Sequence, residues 1–148
     1  MIALPGRTSW LLGAALGLVF LYASVDKILA PREFARIVYH YQLIGPSAHL
    51  PFWPANTLAV TLPWVEVVLG LLLVAGVWRR EAALTTAGLL VMFLVAVGYA
   101  LSQGIDIENC GCFSVAGGGR RAGAALIAGD LAMLATALSL AFAARDTD

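Results

Sequence analysis

The chain is 148 residues long, 61% apolar and 12% charged, and it carries no formal net charge at neutral pH. An ordinary soluble domain is about 45–50% apolar and about 25% charged, so this composition excludes a soluble globule and points to one integral membrane domain over residues 1–148. The neutral balance offers no basic face to nucleic acid, and two cysteines are too few for a disulfide-stapled scaffold.

Four spans are expected, over about residues 8–28, 56–78, 82–103 and 122–144, since each stretch can cross a hydrocarbon core of about 30 Å at about 1.5 Å per residue. The first, uncharged from Thr8 to Val25, starts after Arg7 and ends at Asp26-Lys27. It is long for the apolar region of a signal peptide and no small-x-small cleavage site follows, so a retained helix is expected. Gly13-x-x-x-Gly17 gives it a small-residue face suited to close helix approach. In the connection from Ala30 to Ala55, Pro31 can open a helix with Glu33 in its first turn. Phe34, Val38 and Tyr41 then recur at helical spacing, with Arg32, Arg36 and His40 largely on the other side. This predicts a short amphipathic helix in the membrane interface. Pro46 to Pro54 breaks it, and Phe52 and Trp53 supply an aromatic anchor at headgroup level.

The second span carries one charge, Glu66, and an internal Pro63, which should bend the helix. A very short connection around Arg79-Arg80-Glu81 makes the uncharged third span its antiparallel neighbour. The connection from Ser102 to Arg121 holds Asp106, Glu108, Cys110-Gly111-Cys112 and Gly117-Gly118-Gly119. The fourth span carries one charge, Asp130. The expected fold is therefore all-α, a four-helix transmembrane bundle with a short amphipathic helix between spans one and two.

Four spans put both termini on one side and the first and third connections on the other. Arginine and lysine are near parity across the two sides, but Arg79-Arg80 sits in the shortest connection, and the positive-inside rule favours short loops. The expected arrangement is an inner-membrane, multi-pass protein with cytoplasmic termini and a periplasmic or extracellular cysteine loop, on the side where disulfides persist. In either orientation the cysteines share a membrane face with Asp26, Lys27, His40 and His49. Glu66 and Asp130 lie roughly 12–15 Å in from that face at helical rise.

Cys110 and Cys112 can close a small ring, with Gly111 supplying the unusual backbone angles it needs. Such a disulfide encloses almost no loop, so it adds little stability and should exchange readily. That suits a redox pair and a thiol–disulfide oxidoreductase; a passive bridge or two inert thiols are the alternatives. A zinc set of His40, His49, Cys110 and Cys112 has the ligand types but an unusual spacing, and no metal is assigned. Glu66 and Asp130 are candidates by their placement, since charge in a membrane interior is costly. They could relay protons for thiol chemistry or hold helices together by hydrogen bonds. Asp26-Lys27 reads as a pair at a helix end, with Lys27 able to reach inward to an acid or to lower a thiol pKa.

The chain resembles the MauE branch of the DoxX-like membrane proteins. The likeness runs from Gly17-Leu18-Val19-Phe20 into Asp26-Lys27-Ile28, Pro31 and Phe34-Ala35. It continues through Tyr41-Gln42-Leu43, Leu62-Pro63-Trp64-Val65-Glu66 and Gly70 to Cys110-Gly111-Cys112-Phe113 and Asp130-Leu131. Ser114 departs from the glycine expected after the cysteine motif. The resemblance implies a four-helix bundle acting in maturation of periplasmic disulfide-containing proteins, typified by the small subunit of methylamine dehydrogenase. It also implies a thioredoxin-like partner, Cys110 and Cys112 as the redox pair, and Glu66 and Asp130 as family-like acids. Quinone-linked disulfide oxidases share the architecture but use two cysteine pairs, so one pair argues against a complete electron path to quinone without a partner. The redox group expected is the disulfide itself. The alternatives are a docking or stabilising subunit with a passive disulfide, and a permease for small solutes or sulfur species.

Overall fold

A computed structural model of the chain describes residues 6–40, 55–104 and 124–143. These form α1 (Gly6–Leu29), α2 (Pro31–His40), α3 (Ala55–Ala75), α4 (Arg79–Ser102) and α5 (Ala124–Ala143). Among the described residues, four helices are long and apolar enough to cross a membrane: Arg7–Leu29, Thr57–Ala75, Arg79–Ser102 and Ala125–Ala143. The all-α architecture, with a short helix between the first two spans, is the one the sequence implies. Helices are the natural solution, because a lipid-embedded backbone must satisfy its polar groups internally.

The spans form a ring in the order α1, α3, α4, α5, with α1 packed most extensively on α3 and α4 on α5. The α1–α3 contact is made by glycine. A Cβ at Gly17 would stand 2.6 Å from the Gly70 carbonyl oxygen, and one at Gly70 would stand 2.9 Å from the Gly17 carbonyl oxygen. Gly13, one turn earlier, faces the Leu73 carbonyl, so the small face of α1 is the α3 contact. The central core gathers Leu16, Phe20, Leu69, Leu73, Leu90 and Leu140 around small residues of α4 and α5, including Ala83, Ala87 and Ala137. Small side chains let helices approach closely where lipid gives no hydrophobic drive to associate. Large apolar side chains, among them Tyr22, Trp64, Val95 and Phe142, lie outside, as expected of a lipid-facing surface.

The turn between α3 and α4 occupies Gly76, Val77 and Trp78, and α3 ends earlier than the expected residue 78. Gly76 takes φ +71°, and its N–H and that of Val77 both donate to the Leu72 carbonyl, which closes the helix C-terminus. Trp78 has φ 47° and ψ 45°, an uncommon conformation for a bulky residue. Arg79, Arg80 and Glu81 then lie within the first turn of α4 rather than between helices. Pro63 sits inside α3 and cannot donate to the Ala59 carbonyl, yet the helix continues through it.

Helix α2 follows α1 after the single residue Ala30, whose N–H donates to the Asp26 carbonyl and whose carbonyl accepts from Phe34. Its apolar side, Phe34 and Ala35 with Ile37 and Val38, packs on Ala59, Leu62, Leu89 and Phe93. Its other side, Arg32, Glu33 and Arg36, is exposed, with Arg36 donating to Glu33 at 2.8 Å. The apolar face is thus spent on α3 and α4. Tyr41 and the expected aromatic anchor, Phe52 and Trp53, lie outside the described residues.

Candidate functional site

Helical side chains lean toward the N-terminus of their own helix. In the antiparallel pair α1 and α3 this aims Lys27, near the end of α1, back into the bilayer, and aims Glu66 outward to meet it. Lys27 Nζ donates to Glu66 Oε1 at 2.7 Å and to Oε2 at 2.8 Å, a two-pronged ion pair with side chains only 1% and 2% exposed. Nothing about its length forces Lys27 inward, because lysine near a span end can equally send its ammonium to the interface. The structure therefore corrects the expectation of a pair at the helix end: Lys27 is buried and its partner is Glu66, while Asp26 beside it is only half-buried.

Two aromatic rings complete the lysine site. Phe34 of α2 and Phe93 of α4 have centroids 5.2 Å and 5.3 Å from Nζ, within range for attraction between the ammonium and the ring faces. Helix α2 therefore lays its buried phenylalanine against the charge.

Asp130 approaches from α5, across the ring from α3. It is 2% exposed, and its Oδ2 has no hydrogen-bond partner among the described residues. A cavity of about 30 Å³ separates the helices here, lined by Val19, Phe20, Ala23, Glu66, Leu90, Phe93, Asp130 and Met133. Glu66 and Asp130, predicted separately as buried acids, thus open onto one space. Lys27 was expected only as able to reach inward to an acid, and Phe34 and Phe93 as parts of the same site were not anticipated. The available signal was a lone cation near one span end followed by a lone acid in the next, antiparallel span.

Cys110 and Cys112 lie outside the described residues, as do His49, Asp106 and Glu108. The side chain of His40, the last residue of α2, is also undescribed. Chain connectivity is nonetheless clear. Helix α4 ends at Ser102 and α5 begins at Ala124, both at the end of the bundle where α1 carries Lys27.

Comparison with known proteins is specific. The family model described as methylamine utilisation protein MauE matches residues 6–143. A methylamine utilization protein MauE of Methylorubrum extorquens is 33% identical over 129 residues, covering 82% of this chain and 66% of its own length. The protein of that name from Paracoccus denitrificans is 30% identical over 104 residues, covering 70% of this chain and 53% of its own length. The chain thus spans 66% and 53% of the length of these two relatives. No solved structure matches it.

Proposed function

The chain belongs to the MauE family of methylamine utilisation proteins, and from that membership we propose that it is a membrane thiol–disulfide redox protein. The Cys110/Cys112 pair exchanges electrons with a thioredoxin-like partner in the maturation of periplasmic disulfide-containing proteins. In the exchange a thiolate of one protein attacks the disulfide of the other and forms a mixed disulfide. The second thiol then releases it, so two electrons and two protons pass from the dithiol to the disulfide. The redox group is the chain's own cysteine pair. Glu66 and Asp130 support it as acids below the exchange site.

The observation that carries this reading is the position of the charge cluster. Lys27, Glu66 and Asp130 are buried in the bundle, and α4 ends and α5 starts on the Lys27 side. The segment containing the two cysteines is therefore tethered at that end. A costly set of buried charges that runs from the middle of the bundle toward the end where that segment is attached suits a reaction that moves protons. The accompanying proposal for location is the inner membrane, with cytoplasmic termini and the cysteines on the oxidising side.

Thiol alkylation in intact cells with a membrane-impermeant reagent tests this directly. Cys110 and Cys112 should resist the reagent until mild reduction and react afterwards. Thiols that are free from the outset on the oxidising side would contradict the proposal.

A further inference from the structure

The cavity between α1, α3, α4 and α5 carries an inference independent of the cysteine chemistry. Its walls are apolar except for Glu66 and Asp130. Each Glu66 oxygen accepts from Lys27, whereas Asp130 Oδ2 is buried with no partner among the described residues. A buried carboxyl oxygen without a hydrogen bond carries a desolvation penalty, which the Lys27 charge offsets only in part; no hydrogen-bond donor lines the cavity among the described residues. A water needs about 10–15 Å³ of such space and at least two polar partners. The volume of about 30 Å³ and the two carboxyl groups meet both conditions.

Charge limits what this site can hold. Lys27 of α1 and Glu66 of α3 balance as a cation and an anion. Helix α4 presents only Leu90 and Phe93 to the cavity, α1 presents Val19, Phe20 and Ala23, and α5 adds Met133. No second cation faces Asp130 from these walls. An uncompensated charge buried in a bilayer is strongly disfavoured, so the neutral inventory is one ammonium, one carboxylate and one carboxylic acid.

We propose that this cavity is an internal water site in which Asp130 and Glu66 share a single transferable proton beside the Lys27 ammonium. The proton leaves the Asp130 carboxyl for the bridging water as that water gives a proton to a Glu66 oxygen. The negative charge moves from α3 to α5, the sum of charges is unchanged, and no oxidant or reductant takes part. Phe20, Phe93 and Met133 line the site, and its volume of about 30 Å³ suits water.

The test is infrared spectroscopy of the full chain in lipid nanodiscs, in H2O and D2O, with Cys110 and Cys112 both replaced by Ser so that thiol chemistry cannot contribute. The expected spectrum has one protonated-carboxyl carbonyl band that shifts in D2O. Asp130→Asn should remove it, and Lys27→Met should add a second, because the remaining acid loses its counter-charge. Ala23→Val, which fills the cavity, should keep the band but slow its response to D2O. Aspartate carrying heavy carbon at its side-chain carboxyl should shift the band in the otherwise unaltered protein, which keeps the test valid if Asp130→Asn does not fold. Absence of any such band, a band indifferent to the aspartate label, or unchanged exchange in Ala23→Val would each overturn the proposal. None of these outcomes bears on the cysteine chemistry, whose test reads thiols alone.

Discussion

The Lys27–Glu66 pair sets the energetics at the scale of single residues. Both side chains are removed from solvent, and losing either partner leaves the other to be neutralised or to bear its charge alone. Lys27→Met or Glu66→Gln alone should therefore destabilise the bundle by about 3–5 kcal/mol. The double variant should recover much of that loss, because no orphan charge remains. Thermal or denaturant unfolding in detergent measures both, and equal additive losses would show that the two side chains do not act as a pair. Phe34→Ala removes a 2% exposed ring that also covers the ammonium, with an expected loss of about 3–5 kcal/mol. Glu66 and Asp130 were legible in the sequence as isolated charges within apolar stretches. Lys27 was legible only as a residue able to turn inward. Its choice depends on the register between α1 and α3 and on the lean of both side chains, neither of which any local pattern displays.

That register belongs to the helices, and the glycine contact between α1 and α3 sets it. Gly17→Leu would drive a side chain into the Gly70 carbonyl and Leu73. The expected effect is separation of the two helices, weakening of the Lys27–Glu66 bond and a loss of about 1–3 kcal/mol. Gly88→Leu, whose Cβ would meet nothing within 4 Å, is the matched control and should unfold like the parent. Gly13-x-x-x-Gly17 was visible as a close-approach face, but its partner helix was not, because every span is rich in small residues. Helix α2 was legible from Pro31, Glu33 and the spacing of Phe34 and Val38. What its apolar side would meet was not, since that spacing fits lipid and protein alike. The α3–α4 turn moved toward α3 for a local reason. Gly76 adopts a left-handed conformation that stops the helix, so Arg79 and Arg80 open the next one.

At the scale of the whole molecule, composition and span length are enough to define a four-span membrane bundle, because lipid leaves few backbone solutions. The ring order α1, α3, α4, α5 is a product of packing. It turns three charges far apart in sequence into one cluster, with Glu66 and Asp130 lining one cavity. The cysteine pair was the clearest chemical signal in the sequence, and the cluster adds buried charges that run from mid-bundle toward the end where that segment is attached. The most direct test of the thiol–disulfide proposal is therefore a trapping experiment. Full-length chain carrying Cys112→Ser, and separately Cys110→Ser, would be expressed in the native membrane with thiols blocked by acid quench. Non-reducing gels would then be probed for adducts. One of the two variants is expected to accumulate a mixed disulfide with a thioredoxin-like protein that reducing agent dissolves. Absence of any such adduct from both variants under oxidising and reducing growth would contradict a redox role and leave a docking subunit with a passive bridge as the better reading.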